Sequence, residues 1–271
     1  MNKLSKNFKA LLALLLSLTV VLALGGCEEL KLEPKQEVEN TEEQESQELE
    51  QSFYARRADL DSEFLQAGIE RYAKLALYTE TDPETASLKR WESRSIPIIL
   101  EGKYTPEDQA YLEALMAELN ELDNFPQLEL ATELSPESIE IQFGEPLALA
   151  EIYGTGEAIE NFLWFINWKS EPSFELFLAK LGVNSEQDLA GRKADLCHGL
   201  LPLFGLYNSE FRADDSALAY AATETELSQL DKLVLEMHYR PELEVGMPVK
   251  AAVQLLRELY LDEQDLSESG D

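Results

Sequence analysis

The run His198-Gly199-Leu200-Leu201-Pro202-Leu203-Phe204-Gly205-Leu206-Tyr207-Asn208 shapes the second half of the chain. It continues an apolar pattern that predicts a helix over about residues 189–206. Pro202 lies inside this helix, where it removes one backbone hydrogen bond and its ring clashes with the carbonyl of His198. We therefore expect a kink or a helix restart at Pro202, and a glycine turn at Gly205.

Hydrophobic periodicity on both sides of this run predicts a mixture of helices and strands. Helices are predicted over about residues 58–78, 105–122, 226–238 and 249–260, and strands near residues 96–100, 128–130, 139–143, 162–166 and 174–178. The sequence therefore predicts an α+β domain with a mixed β-sheet packed with helices, followed by an all-helical C-terminal part from about Gln187.

Three of these segments carry a more specific signal. Thr105-Pro106-Glu107-Asp108 offers an N-cap hydroxyl, a proline in the first turn and acidic residues near the positive helix end. Pro97 indicates that its strand lies at a sheet edge or that the proline stands at the strand start. The run 162–166 is apolar on both faces, which is typical of a central strand.

Further motifs follow the central run along the chain. Ser216-Ala217-Leu218 precedes Leu227-Ser228-Gln229-Leu230-Asp231, and Tyr239 comes after both. Together with residues 198–208, this order resembles the metzincin zinc peptidases. Those proteins show H-E-x-x-H-x-x-G-x-x-H, or Asp in the last place, then a Met-turn and an L-S/T-x-x-D helix that ends near a tyrosine. The resemblance covers about residues 90–240 and implies a metzincin-like upper subdomain, with Leu218 in the methionine place.

The resemblance also implies that the zinc helix has lost its chemistry. In metzincins two histidines four residues apart hold zinc with a third ligand, and the glutamate between them is the general base. Here His198 takes the first ligand position and Gly199 the position of the base. Pro202 and Asn208 take the second and third ligand positions, and Gly205 keeps the turn. Proline offers no side-chain donor, so we expect no metal, no cofactor and no catalytic residue.

Both ends of this region are more similar to another group of proteins. Arg90-Trp91 at the start, and Tyr239-Arg240-Pro241-Glu242-Leu243 with Gly246-Met247 at the end, resemble an uncharacterised family of secreted bacterial proteins that shares this degenerate layout.

The N-terminal segment has the three-part layout of a secretory signal. Three lysines precede an uncharged run over residues 10–24, which is shorter than the roughly 20 residues of a membrane-spanning helix. Leu24-Gly25-Gly26-Cys27 resembles the lipobox of bacterial lipoproteins, in which the cysteine receives a lipid, with acyl chains such as palmitate. The resemblance implies a lipoprotein signal over residues 1–26 and lipidation of Cys27. An uncleaved anchor helix, or a signal cut near Ala23, would leave the cysteine unmodified.

Composition sets the limits for the remainder of the chain. Residues 27–52 contain few apolar side chains and are predicted to form an acidic disordered tether, and residues 53–271 suit a single globular domain. The formal net charge of −31 repels nucleic acid and anionic lipid headgroups, so we exclude nucleic-acid binding. The chain has two cysteines, and lipidation of Cys27 would leave Cys197 without a disulfide partner.

Other reactive side chains have simpler interpretations. Cys197 and His198 are neighbours on a helix and cannot pair as nucleophile and base, so Cys197 is interpreted as a small buried hydrophobe. His238, near the end of its helix, is expected to be favoured by the helix dipole. Asp214-Asp215 is interpreted as a solvated turn rather than a calcium site.

A binding role is the leading functional hypothesis. Trp164 and Trp168 place large rings on one strand and are candidates for a surface that binds a peptide or a glycan. The sequence predicts an extracytoplasmic lipoprotein, anchored to a bacterial membrane, with a non-catalytic binding or scaffold domain whose partner is an envelope protein, peptide or glycan. The alternatives are an active hydrolase that uses carboxylates in the same cleft, and a purely structural lipoprotein.

Overall fold

The computed structural model describes residues 61–76, 86–133, 135–208, 211–219 and 222–262. The predicted signal over residues 1–26, the lipidation of Cys27 and the tether over residues 27–52 lie outside the described residues. Within the described ranges, no helix combines the length and the apolar character needed to cross a membrane.

A mixed five-stranded sheet forms the centre of the fold. Its strands are β1 (Ser95–Gly102), β2 (Gln127–Ala131), β3 (Ser138–Gly144), β4 (Phe162–Trp168) and β5 (Leu176–Asn184). They lie in the order β2-β1-β3-β5-β4, and every pair is parallel except β4 with β5. This arrangement confirms the predicted α+β class with a mixed sheet.

Helices cover both faces of this sheet. They are α1 (Ser62–Ala76), α2 (Pro106–Asn120), α3 (Pro146–Tyr153), α4 (Leu189–Leu200), α5 (Gln229–His238) and α6 (Val249–Arg257), the last continued by a π turn over Glu258–Asp262. Leu181 of β5 faces α4, whereas its neighbour Gly182 faces Tyr153 of α3. Since successive strand residues point to opposite faces, α3 and α4 lie on opposite sides of the sheet.

The first helix packs beside the C-terminal helices rather than on the sheet. It contacts α5 and α6 through a buried stripe that includes Leu65, Ile69 and Tyr72. Gly68 lies in the same interface, where an added Cβ would come 2.7 Å from Cδ2 of Leu233 on α5. The glycine therefore allows two helices to approach closely.

The predicted start of α2 is confirmed and has a second role. Thr105 is the N-cap, and its hydroxyl accepts a hydrogen bond from the Asp108 backbone while the Asp108 carboxylate accepts one from the Thr105 backbone. The Asp108 side chain is buried and also accepts a bond from Nε of Arg192 on α4 at 2.9 Å. Asp108 thus stabilises the first turn of α2 and also anchors α4 against that helix.

The prediction of a central strand over residues 162–166 is wrong. This segment is β4, which lies at the sheet edge, and Phe165 and Trp168 are about two-fifths exposed. Its rings are large on both faces because each face has a neighbour: Phe165 stacks on Tyr153 of α3 at 5.4 Å, and Phe162 meets His198 of α4 at 5.1 Å. Partial cover from two helices therefore produced the pattern of a fully buried strand.

Three other predictions need adjustment. β1 is an inner strand, so the edge interpretation of Pro97 is wrong; pairing with β3 begins only at Ile98, so the strand-start interpretation holds. The strand predicted over residues 174–178 is β5, which begins at Leu176 and extends to Asn184. The sequence analysis missed α3, although Pro146 at its first turn and Gly154 at its left-handed C-cap are typical helix boundaries.

Candidate functional site

The candidate site is built around α4 and the turn that follows it. Asp188 caps α4 by accepting a hydrogen bond from the Gly191 backbone at 2.8 Å. The helix ends at Leu200, and a 3-10 turn continues over Leu201–Phe204 with Pro202 in its first turn. The predicted restart at Pro202 is therefore confirmed, because the tighter turn accommodates a residue without a backbone N–H.

Gly205 closes this turn in a conformation that only glycine tolerates well. Its φ angle is 102°, and an added Cβ would lie 2.0 Å from the carbonyl oxygen of Lys89. Two buried donors hold the turn from other segments: Nε1 of Trp91 donates to the Leu203 carbonyl at 2.8 Å, and the Tyr239 hydroxyl donates to the Phe204 carbonyl at 3.0 Å. The backbone path out of α4 is thus fixed from several directions.

A cleft of about 690 Å³ opens between β4, α4 and the segments that follow the turn. We call this space the cleft; its walls include His198, Pro202 and Asn208, the three positions that the sequence resemblance aligned with zinc ligands. Trp164 of β4 and Tyr207 line it with ring centroids 5.6 Å apart. The structure therefore brings together residues that sequence analysis grouped only by resemblance.

The donor atoms in the cleft do not fit zinc. Nδ1 of His198 lies 3.4 Å from the Ala217 carbonyl, and burial lowers the pKa of this imidazole, which favours its neutral form. Pro202 has no side-chain donor, and the Asn208 amide donates to the Lys74 carbonyl at 2.6 Å. Among the described residues, no group of three or more His, Cys, Asp or Glu side chains is placed to hold a metal ion.

Gly199, which the resemblance aligns with the general base, has little free space around it. A Cβ on Gly199 would lie 2.4 Å from Cδ1 of Leu181 and 3.1 Å from the ring of Phe162. Glycine at this position allows α4 to pack closely against β4 and β5. A glutamate here would need those side chains to move.

The Ser216-Ala217-Leu218 segment forms a turn that is held by Asp231. The Asp231 carboxylate is fully buried and accepts hydrogen bonds from the Ser216 hydroxyl at 2.6 Å and the Ala217 backbone at 3.0 Å. It also closes a capping box with Ser228 at the start of α5. The L-S-x-x-D motif thus couples the start of α5 to the turn beside the cleft.

Arg71 of α1 completes this arrangement. Its guanidinium donates to Asp231 at 3.1 Å and to Asp215 at 2.8 Å. We call Arg71, Ser216 and Asp231 the Asp231 cluster. Asp214 and Asp215 form a turn, and the ion pair of Asp215 gives that turn a structural role.

The remaining reactive side chains lie away from the cleft. Cys197 is fully buried, and burial raises the pKa of its thiol to about 12, which agrees with its interpretation as a hydrophobe. His238 is also buried, and its Nε2 lies 3.1 Å from the Lys89 carbonyl. Burial lowers the pKa of His238 to about 3, so the expectation of a charged histidine favoured by the helix dipole is wrong.

The two tryptophans proposed as a binding surface are not together. Trp164 lines the cleft, whereas Trp168 is absent from its walls and lies under Nζ of Lys89, which is 5.1 Å from the ring centroid. Only Trp164 therefore belongs to the candidate site.

Sequence analysis missed Asp195, which lies one helical turn before His198 on α4 and lines the cleft. It is 8% exposed, and its carboxylate accepts a hydrogen bond from the Gln187 amide. Burial raises the pKa of this carboxyl group. The spacing of three residues places Asp195 and His198 on the same helix face, a signal that was available in the sequence.

Comparison with known proteins adds one match. A family model described as "Protein of unknown function (DUF2927)" matches residues 66–258. The matched range includes all strands and every residue of the cleft and of the Asp231 cluster. A search of curated proteins found no match.

Proposed function

We propose a function for a chain that belongs to the family described as protein of unknown function (DUF2927): it is an extracytoplasmic lipoprotein whose metzincin-like domain binds a ligand without catalysis. The observation that carries the proposal is that His198, Pro202 and Asn208 line one cleft while supplying a single imidazole. The positions of a zinc site are thus gathered in space, but its ligands are missing.

Support for the metzincin-like part comes from the way the motifs cooperate. The turn at Ser216-Ala217-Leu218 lies under the helix of His198, since the Ala217 carbonyl faces the imidazole and Leu218 lines the cleft. Asp231 organises that turn, and Tyr239 holds the 3-10 turn after α4 through the Phe204 carbonyl. Each motif on which the resemblance depends therefore has a structural task around the same helix.

A binding role is favoured over both alternatives by the walls of the cleft. Two-carboxylate hydrolysis needs a pair of acids across the reacting bond, and Asp195 is the single carboxylate among the described residues that line the cleft. A purely structural role would favour a filled cleft, whereas this one is open and has Trp164 and Tyr207 in its wall. Its volume lies in the range of about 300–1,000 Å³ that is usual for ligand sites.

The absence of catalysis can be tested on the purified chain. We expect zinc well below one equivalent per chain after dialysis against zinc-containing buffer, and no cleavage of a mixed peptide library. The physical reason is that one imidazole does not hold zinc against water. One equivalent of zinc together with peptide hydrolysis that a chelator abolishes would contradict the proposal.

The lipid anchor can be tested with the two cysteines as a matched pair. In a bacterial host fed an alkyne analogue of palmitate, the wild-type chain should be labelled and should partition into detergent. Cys27→Ala should abolish both properties, because the acyl chains supply about 0.8 kcal/mol of membrane affinity per buried methylene. Cys197→Ala should keep them, since that thiol is buried in the core. Labelling that survives Cys27→Ala would rule out the anchor.

A further inference from the structure

We infer that the cleft binds the cationic group of an organic ligand, an ammonium or a guanidinium, with the Asp195 carboxylate as its counter-ion. The inference rests on the proposed function, in that it takes the cleft to be a binding site. It adds the chemical class of the ligand and the residue that recognises it.

The first support is a comparison among buried carboxylates. Asp108, Asp195 and Asp231 are the aspartates with less than a tenth of their surface exposed among the described residues. Asp108 pairs with Arg192, and Asp231 pairs with Arg71. No ion pair with Asp195 occurs in the part of the chain that the structure describes, and its hydrogen-bond partner there is the neutral amide of Gln187.

A buried carboxylate is costly unless a cation compensates it. The two cations of α4 do not serve Asp195: Arg192 is paired with Asp108, and Nζ of Lys193 lies 5.5 Å above the ring of Tyr111. No lysine or arginine occurs among the described residues that line the cleft. The missing charge can therefore come from a ligand, and burial that raises the pKa of Asp195 is the expected sign of the missing cation.

The second support is the aromatic character of the cleft wall. Trp164 and Tyr207 line the same cleft, and aromatic faces attract ammonium and guanidinium groups by cation–π interaction. The other ionisable groups nearby do not oppose a cation: burial lowers the pKa of His198, which favours its neutral form, and Glu224 in the loop before α5 acts on that histidine as a negative charge. The net charge of −31 also attracts cations to the protein.

The test uses the full chain in detergent and follows the indole N–H signals of its three tryptophans by NMR. The probes are an N-acetyl-arginine amide, spermidine, and an N-acetyl-citrulline amide, which is a neutral isostere of the arginine probe. The Trp164 signal should move with the cationic probes and not with the citrulline probe. The signal of Trp91, a buried residue that donates to the Leu203 carbonyl, should stay in place as an internal control.

Two variants and a pH series identify the counter-ion. Asp195→Asn, which can still accept the Gln187 bond, should weaken cation binding about tenfold or more, as expected for a hydrogen bond to a charged group. Trp164→Ala should also weaken binding, whereas Phe165→Ala, on the other face of β4, should not. Wild-type affinity should fall as the pH falls through the raised pKa of Asp195, and most of that dependence should vanish in Asp195→Asn.

The outcomes separate this inference from the proposed function. A shift with the arginine probe alone assigns a basic peptide side chain, and a shift with spermidine alone assigns a free polyamine. Equal binding of the citrulline and arginine probes, unchanged affinity in Asp195→Asn, or no binding of any probe overturns the inference. None of these results bears on zinc binding or hydrolysis. The proposal that the domain is non-catalytic is therefore tested separately, by the zinc and peptide-cleavage measurements.

Discussion

The Asp231 cluster and the cleft lie on different sides of the same turn. Their buried carboxylates differ in the partners that surround them. In the Asp231 cluster the carboxylate has an arginine, a hydroxyl and backbone donors around it. In the cleft, the hydrogen-bond partner of the Asp195 carboxylate among the described residues is the neutral amide of Gln187. The difference indicates that the groups that hold the turn in place are separate from the groups proposed to contact a ligand.

The largest expected effect comes from breaking the Asp231 cluster. Asp231→Ala leaves Arg71 with a single exposed partner, and removes hydrogen bonds from Ser216 and Ala217. We expect a loss of about 3–5 kcal/mol in the free energy of unfolding, measured by urea denaturation. Asp215→Ala is the control, because its side chain is 70% exposed, and its loss should be below about 1 kcal/mol. Equal losses of unfolding free energy in the two variants would contradict the interpretation of the cluster as a structural unit.

A pH series should reveal how the buried side chain of His238 contributes to the free energy of unfolding. The pKa of His238 in the folded protein is about 3, below the value of about 6.5 for an unfolded chain. Its contribution to stability is therefore complete above about pH 6.5 and is lost as the pH falls toward 3, at about 1.4 kcal/mol per pH unit. The unfolding free energies of wild type and His238→Gln should converge as the pH is lowered from 7 to 4. Parallel curves would contradict this origin.

Packing around Gly199 should have a smaller effect on stability. Gly199→Ala brings a Cβ within 2.4 Å of Leu181, and we expect thermal denaturation to show a loss of about 1–3 kcal/mol. Gly191→Ala in the same helix is the matched control, because the closest atom to its Cβ would be the movable end of the Gln187 side chain at 2.8 Å, and its next neighbours lie at 3.4 Å or more. That control should be neutral or slightly stabilising. A stabilising Gly199→Ala would mean that the contact with β5 is loose.

The smallest expected effect has the opposite sign and concerns the cleft itself. Asp195→Asn removes a buried charge while keeping a hydrogen-bond acceptor for Gln187. Because burial raises the pKa of Asp195, ionisation of this group disfavours the folded state above that pKa. At pH 7 the variant should therefore gain stability, at the lower end of the about 0.5–2 kcal/mol that stabilising substitutions supply. A clear loss of stability would show that the carboxylate serves the fold.

Local signals allowed the sequence to predict much of this fold. The cap at Thr105, the restart at Pro202 and the glycine turn at Gly205 depend on residues close in the chain, and each is found in the structure. The helix α3 was missed because eight residues are too few for a periodic pattern to stand out. The edge position of β4 was missed because cover from two helices imitates burial by neighbouring strands.

The candidate site was harder to predict than the fold. Resemblance grouped His198, Pro202 and Asn208, and the structure places all three at one cleft. The resemblance gave no indication of Asp195, because the importance of that residue depends on which cations are near it in space. The burial of His238 was likewise hidden, because it depends on contacts with Lys89 and Tyr72, which are distant in the chain.

The turn after α4 has a consequence for recognition. The carbonyls of Leu203 and Phe204 are held by Trp91 and Tyr239, and Gly205 leaves no space for the turn to shift toward Lys89. Pro202 of this turn lines the cleft. This part of the wall is therefore preorganised, so most of its ordering entropy is lost when the chain folds and little remains to be lost on association. For the ligand proposed above, a molecule of modest size would need few contacts, and discrimination would depend on its charge and shape rather than on adaptation by the protein.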